Sequence, residues 1–123
     1  GVGAVLTLPP SVKIYLAVEP VNLRMSFRGL SGLVRQRLRD DPLSGHLFCF
    51  LNRRRTMMKI LFHDRSGYCI FYKRLSRGTF QLPVVPEGAT QVRLDAGELA
   101  LILEGIDLGS AKRRLRHKRS LPG

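Results

Sequence analysis

The sequence predicts an α+β domain: a small antiparallel β-meander of about five strands, one helix after the first strand and one C-terminal helix. Apolar residues recur at helical spacing between positions 23 and 38. Apolar and aromatic runs of strand length lie between positions 46 and 82, joined by connectors of hairpin length. The chain has 123 residues, 44% of them hydrophobic, which suits one domain rather than two. These patterns leave open whether the meander closes into a barrel.

The first strand and the first helix are predicted within residues 12–38. Residues 12–18 are rich in β-branched and aromatic side chains and lie between prolines, as is typical of a strand. A helix over residues 23–38, with Asn22 as its N-cap, is predicted by the spacing of its apolar residues. Those residues are Phe27, Leu30, Val34 and Leu38.

The meander follows from four further apolar runs. Strands are predicted at residues 46–52, 57–63, 68–75 and 79–82, and the connectors at 64–67 and 76–78 contain the glycine that a tight turn favours. After a loop at 83–89, residues 91–94 suit a short edge strand. Because each main strand is apolar on both faces, the sequence leaves open which face of the sheet is buried.

The second helix is predicted to begin at Asp95, because Asp95 and Glu98 have the spacing of a capping box. Its apolar face comprises Leu99, Ile102, Leu103 and Ile106, and Gly109 is the predicted end. The domain organisation expected is an N-terminal extension at 1–11, one domain at 12–108 and a basic, disordered tail at 109–123.

The charge of the chain favours a polyanionic partner. The formal net charge is +12, and the body remains at +6 without the six basic residues of the tail. Such a surplus suits nucleic acid or an anionic membrane surface, and no apolar run is long enough to span a membrane. The basic residues of the tail, which suit phosphate contacts, are Lys112, Arg113, Arg114, Arg116, Lys118 and Arg119.

An arginine ridge on the first helix is the candidate for entering a DNA groove. At about 100° per residue, its four members fall within about 60° of one another, opposite the apolar arc. They are Arg24, Arg28, Arg35 and Arg39. The alternative is an ordinary solvated helix face. Arg37 falls within the apolar arc, so its side chain must extend to solvent or pair with an acid.

Further candidates for nucleic-acid binding lie in the meander. The turn residues Arg53, Arg54 and Arg55, together with Lys73 and Arg74, suit a clamp on a phosphate backbone. Aromatic side chains could stack on bases if the sheet exposes them, but a small domain also needs such rings for its core. The rings concerned are Phe48, Phe50, Tyr68 and Tyr72.

Catalysis and metal binding are not expected. Cys49 and Cys69 lie inside apolar runs, which suits buried thiols in a reducing cytoplasm. The histidines lack ligand spacing, and the acids are dispersed among helix ends and turns. No phosphate-binding loop, nucleotide fingerprint or nucleophile elbow is present. We therefore predict a protein without cofactor, metal or catalytic residues.

A succession of short motifs resembles one known family. The motifs are Arg24, Gly29-Leu30, DPLSGHLF at 41–48, NRR at 52–54, KIL at 59–61, D-R-x-G at 64–67, YKRL at 72–75 and LEGID at 103–107. Over residues 12–108 they are similar to the accessory protein family called TnpB of insertion sequence sixty-six transposons, which is distinct from the RNA-guided nuclease of that name. The family commonly has Asp-Met-Arg-Lys where residues 22–25 read Asn-Leu-Arg-Met, and Trp near Phe62 and Phe71.

The resemblance implies a bacterial mobile-element protein that assists a separate, larger transposase. Its expected partners are DNA, either transposon ends or non-specific duplex, and the transposase subunit of the same element. The expected location is the cytoplasm, at the nucleoid when DNA is bound. Two alternatives remain: an adaptor that docks on the transposase, and an RNA-binding regulator. The regulator would require that Phe48, Phe50 and Tyr72 be exposed.

Overall fold

An open five-stranded sheet with one helix on each face forms the core of the chain. The computed structural model describes residues 9–105. In chain order the elements are β1 (Ile14–Ala17), α1 (Phe27–Gln36), β2 (Leu47–Leu51), β3 (Met57–His63), β4 (Tyr68–Arg74), β5 (Gln91–Leu94) and α2 (Ala96–Leu103). The α+β class, with five strands, one helix after the first strand and one C-terminal helix, is confirmed.

The sheet is mixed rather than wholly antiparallel. Its strand order is β4-β3-β2-β1-β5, and β2, β3 and β4 form the predicted antiparallel meander. β1 instead pairs in parallel with β2, because α1 carries the chain back to the starting edge before β2 begins. β5 pairs antiparallel with the other side of β1 and forms an edge strand, as predicted. The sheet does not close into a barrel, since β4 and β5 are its two edges.

The first helix is shorter than predicted. It begins at Phe27 after Ser26, so the prediction of Asn22 as N-cap was wrong. Asn22 forms a turn of its own, in which its Oδ1 accepts a hydrogen bond from the Arg24 backbone N–H at 3.0 Å. At the other end Arg39 adopts a φ of +54°, which is incompatible with helix continuation.

The strand predicted at 79–82 is also wrong. Phe80 is buried in the core, and its backbone N–H donates to the Arg55 carbonyl at 2.7 Å. The apolar side chain that suggested a strand therefore anchors a loop that runs from β4 to β5. Irregular backbone can bury one large ring in this way when its polar groups find partners outside a ladder.

Both faces of the sheet are buried at the central strands β1 and β2, which explains why these strands are apolar on both sides. One face packs on α2, with Leu16, Cys49 and Ile60 contributed by three adjacent strands. The opposite face packs on α1, with Phe48 and Phe50 contributed by β2. Alternate side chains of the same strand thus enter two separate cores.

The start of α2 confirms the predicted capping box. The Glu98 backbone N–H donates to Asp95 Oδ1 at 2.7 Å, and the Asp95 N–H donates to Glu98 Oε1 at 3.1 Å. The helix ends at Leu103, before the predicted Gly109, and Gly105 follows it with a φ of +75°. Ile106, Gly109 and the basic residues of the tail lie outside the described residues. Within residues 9–105, no helix is long and apolar enough to cross a membrane.

Candidate nucleic-acid interface

Four of the candidate arginines meet at one groove of about 650 Å³. The groove lies between the segment that precedes α1, the β2–β3 turn and the end of β4. We call it the arginine groove, and no acidic side chain lines it. Its polar and aromatic lining comprises Arg24, Arg53, Arg54, Arg74, Asn22, Asn52, Thr56 and Tyr72.

Asn52 builds the turn that presents the arginines. Its Oδ1 accepts hydrogen bonds from the backbone N–H groups of Thr56 at 2.9 Å and Met57 at 3.0 Å. Its Nδ2 donates to Thr56 Oγ1 at 2.9 Å, and Arg55 adopts a φ of +57° within the turn. This role of Asn52 is not among the predictions from the sequence. An asparagine that precedes a short polar connection between two strands was the available signal.

Arg24 reaches the groove because the segment before α1 is fastened to the sheet. The Val21 backbone N–H donates to the Leu51 carbonyl at 2.8 Å, and the side chains of Val21 and Leu23 are buried. The turn formed by Asn22 then leaves Arg24 exposed on the groove side. Two buried side chains that precede Arg24 thus hold its backbone beside the groove.

Tyr72 is the aromatic ring that the groove displays, with 52% of its surface exposed. Its hydroxyl donates to Met57 Sδ at 3.0 Å, and Lys59 Nζ lies 5.0 Å from the ring centroid. Phe48 and Phe50 are 0% and 1% exposed, so neither can stack on a base. Tyr68 packs edge-to-face on a histidine ring of β3. The RNA-regulator alternative therefore loses two of its three required rings.

The predicted helical ridge of four arginines is wrong, because α1 spans only Phe27–Gln36. Arg28 and Arg35 lie on the helix and are exposed, whereas Arg24 precedes it and Arg39 follows it. Of these four residues, only Arg24 lines the arginine groove.

Three more basic residues have distinct positions. Arg55 is exposed in the β2–β3 turn but does not line the groove. Lys73 points to the sheet face opposite Tyr72, and its Nζ donates to the Leu103 carbonyl at the end of α2 at 2.6 Å. Arg37 pairs with Glu19 at 3.4 Å, which confirms the prediction that it extends to solvent or pairs.

The groove arginines have no acidic partner within the described part of the chain. Residues 9–105 contain 15 Lys and Arg residues against eight Asp and Glu residues, a surplus of seven positive charges. Arg37–Glu19 is the only ion pair among those residues. The positive potential of the groove is therefore available to an external anion.

Comparison with known sequences identifies the family. The protein-family model described as IS66 Orf2-like protein matches residues 12–113, which are most of the chain. The chain belongs to the IS66 Orf2-like family. This membership confirms the resemblance to the accessory TnpB proteins and makes the chain a transposition-associated accessory protein.

Two relatives of this IS66 Orf2-like chain occur in Sinorhizobium fredii (strain NBRC 101917 / NGR234). The uncharacterized protein y4hO is 34% identical over 97 residues, which cover 79% of this chain and 83% of the relative. The uncharacterized protein y4jC is 32% identical over 103 residues, which cover 84% of this chain and 86% of the relative. No solved structure matches the chain.

Two motifs of this family member serve its loops. In the 41–48 motif, Asp41 Oδ1 accepts from the Leu43 N–H at 2.9 Å, and His46 Nδ1 accepts from the Lys13 N–H at 3.0 Å. In the 64–67 motif, Asp64 Oδ1 accepts from the backbone N–H groups of Ser66 at 2.9 Å and Gly67 at 3.0 Å. Both acids act as turn-forming side chains.

Hydrogen bonds and burial shift the pKa values of one carboxyl group and two thiols. The two backbone hydrogen bonds lower the pKa of the Asp64 carboxyl. The Cys69 thiol donates to Asp64 Oδ2 at 3.5 Å, and desolvation followed by this carboxylate raises the Cys69 pKa. Burial raises the pKa of Cys49 to about 12. Both cysteines are free, and residues 9–105 contain no group of three His, Cys, Asp or Glu side chains that could hold a metal ion.

Proposed function

We propose that this IS66 Orf2-like protein assists transposition by binding DNA without catalysis, through the arginine groove. The observation that carries the proposal is the convergence of Arg24, Arg53, Arg54 and Arg74 on one groove without an acid. Guanidinium groups bind phosphate oxygens with two parallel hydrogen bonds, which suits a nucleic-acid backbone. A transposition accessory protein acts on mobile DNA, so DNA is the polyanion that its family context favours.

The rigidity of the β2–β3 turn supports the same proposal. Asn52 holds the turn through three hydrogen bonds before any ligand binds. Arg53 and Arg54 therefore need little backbone ordering when they engage phosphates, and the entropic cost of binding falls. Because phosphate contacts carry no sequence information, the groove alone would bind DNA with weak sequence preference.

The remaining basic residues extend this surface in the proposal. Arg28, Arg35, Arg39 and Arg55 are exposed outside the groove and add to the attraction of DNA at a distance. The six basic residues of the tail would contribute further phosphate contacts.

A gel-shift titration tests the proposal. Wild type is titrated on transposon-end DNA and on scrambled DNA at several salt concentrations, beside an Arg53→Ala/Arg54→Ala variant. An Arg28→Ala/Arg35→Ala variant is the matched control, since it removes the same charge from α1, outside the groove. We expect the groove variant to lose at least about ten-fold in affinity and the control to lose clearly less. Absence of wild-type binding at low salt, or equal losses in both variants, would contradict the groove proposal.

A second candidate function is docking on the transposase. Met25 and Phe27 are apolar, lie next to Arg24 in the chain and are 37% and 44% exposed, which suits a protein contact. Co-purification of the transposase in high salt, after nuclease treatment, would support docking. The complex should then be lost in a Met25→Ser/Phe27→Ser variant and kept in the Arg53→Ala/Arg54→Ala variant.

A further inference from the structure

We infer that the arginine groove accepts a segment of single-stranded DNA, one of whose unpaired bases stacks on Tyr72. This inference rests on the proposed DNA-binding function and names the form of DNA that the groove would take. Its basis is the position of one exposed aromatic ring among groove arginines that have no acidic partner in residues 9–105.

Tyr72 differs from the large aromatic side chains of the core. Phe48, Phe50 and Phe80 are buried, whereas Tyr72 has 52% of its surface exposed and lines the groove. About half of the Tyr72 surface lies outside the hydrophobic core and is free to contact a ligand. A planar, partly apolar ligand with negative charge would cover the ring and neutralise the arginines together.

The Tyr72 ring is already held in place. Its hydroxyl donates to Met57 Sδ at 3.0 Å. Lys59 Nζ lies 5.0 Å from the ring centroid and also donates to the Met25 carbonyl at 2.8 Å, so the ammonium group is itself fixed. Stacking on a ring with restrained rotamers costs less conformational entropy than stacking on a free side chain.

The spacing along β4 suits one nucleotide. Arg74 follows Tyr72 by two residues, so both side chains lie on the same sheet face, about 6–7 Å apart along the strand. A base on the ring can therefore place its own phosphate near Arg74. Arg53 and Arg54, which also line the groove, would meet the neighbouring phosphates.

Paired DNA cannot use this ring. In a duplex each base is stacked between its neighbours and presents only its edge in a groove. A base must be unpaired, or turned out of the helix, before its flat face can contact an aromatic side chain. The ring therefore favours single strands, whereas the arginines alone would serve either form.

The test compares three labelled ligands by fluorescence anisotropy at one salt concentration: an oligothymidine strand, a duplex of the same length and an oligouridine strand. The variants of the full chain are Tyr72→Ala, Tyr72→Phe, which keeps the ring, and Tyr72→Leu, which keeps only its bulk. Circular dichroism checks that each variant folds. Tyr68→Phe, on the same strand but outside the groove lining, is the control.

We expect Tyr72→Ala and Tyr72→Leu to weaken binding of the single DNA strand by about 5- to 100-fold, and Tyr72→Phe to retain it. Duplex affinity should change by less than about two-fold in all variants, since duplex contacts only the arginines. Unchanged single-strand affinity in a folded Tyr72→Ala variant would overturn the inference, as would an equal loss of single-strand and duplex affinity. Binding of duplex by the wild-type protein would still support the proposed function in either case. Tighter binding of oligouridine than of oligothymidine would overturn the assignment to DNA, and no binding of any ligand would overturn both proposals.

Discussion

At the scale of single residues, a few polar side chains determine the local geometry of the loops. Asn52 closes the turn of the arginine groove, and Asp64 closes the turn between β3 and β4. In each case one side-chain oxygen accepts hydrogen bonds from two consecutive backbone N–H groups. Removal of the Asn52 oxygen leaves half-buried donors without a partner, so a small substitution there has a large expected effect.

Asn52→Ala should lower the free energy of unfolding by about 1–3 kcal/mol, because the half-buried N–H groups of Thr56 and Met57 lose their acceptor. Urea denaturation followed by circular dichroism measures this. Asn52→Asp is the control, since it keeps the acceptor oxygen and should retain most of the stability while its charge weakens DNA binding. An Asn52→Ala variant as stable as wild type would show that the turn is held by other contacts.

Asp64→Asn should accelerate alkylation of Cys69. Besides desolvation, the Asp64 carboxylate raises the Cys69 pKa, so its replacement by a neutral amide increases the thiolate fraction at mildly alkaline pH. Iodoacetamide labelling followed by intact mass measures the rate. Cys49, with a pKa of about 12, should stay unlabelled in the folded chain and serves as the internal control. An unchanged Cys69 rate would contradict the assigned effect of the carboxylate.

The same variant should reveal a pH dependence of stability. The Asp64 pKa is lower in the folded chain than its ordinary value of 3.8, so the ionised carboxylate stabilises the fold above that value. This contribution is lost as the pH falls through the folded pKa. The urea midpoint of wild type should therefore exceed that of Asp64→Asn at about pH 7, and the difference should shrink as the pH approaches about 3. A difference that grows on acidification would contradict the lowered pKa.

At the scale of elements, the side chains of β4 alternate between the two faces of the sheet. Tyr72 and Arg74 point to the face that carries the arginine groove. Lys73, between them, points to the opposite face and donates to the carbonyl of Leu103 at the end of α2. A cation there donates to one of the last carbonyls of α2 and opposes the negative end of the helix dipole. Lys73 therefore contacts α2, whereas Tyr72 and Arg74 line the arginine groove.

Lys73→Met should lower the stability of the fold, whereas Arg74→Met should weaken DNA binding. Lys73→Met removes the bond at the end of α2 and should lower the free energy of unfolding by about 0.5–2 kcal/mol, with DNA affinity nearly unchanged. Arg74→Met should leave the urea midpoint nearly unchanged and weaken DNA binding. Urea denaturation of both variants measures their stability, and gel shifts measure their affinity for DNA. A Lys73→Met variant with wild-type stability and weakened DNA binding would indicate that Lys73 contacts DNA instead of stabilising α2.

At the scale of the whole molecule, basic residues are concentrated at two places. One is the arginine groove, at the end of the sheet where the β2–β3 turn lies. The other is the run of six basic residues at positions 112–119. Under the proposed function both attract DNA, and Tyr72 in the groove distinguishes single strands from duplex. The salt dependence of binding separates their contributions.

A chain that ends at Ser110 should bind duplex DNA with a shallower salt dependence. Each phosphate contact contributes about 0.9 to the slope of log K against log salt, so loss of six tail charges should reduce the slope by about five. Arg53→Ala/Arg54→Ala should reduce it by about two, independently of the tail. Gel shifts over a salt series measure both slopes. A shortened chain with an unchanged slope would show that the tail makes no phosphate contacts.

Local patterns predicted the meander and the start of α2 well. The bounds of β3 and β5 agree with the predicted residues, and the capping box of Asp95 and Glu98 is present. These features depend on neighbours in the chain: apolar runs of strand length, hairpin-length connections and a cap three residues from its partner. Phe80 shows the limit of such patterns, because a buried ring in a loop has the same local signal as one in a strand.

The first helix shows why the rest was not predictable. The apolar residues 23–38 have helical spacing, but Leu23 is buried by a turn before α1 and Leu38 by a turn after it. Helical spacing alone cannot exclude such packing by adjacent turns. The arginine ridge predicted from that longer helix is wrong for the same reason, because Arg24 lies outside α1 and lines the groove instead.

The sequence by itself determined the fold class, the antiparallel meander, the excess of positive charge and the family, because these follow from composition, local spacing and motif order. The tertiary structure alone decided that β1 pairs in parallel with β2, that both sheet faces are covered, and that Arg24, Arg53, Arg54 and Arg74 meet around Tyr72. The physical reason is that long-range strand pairing brings together residues that are distant in the chain, and no local pattern records which segments pair.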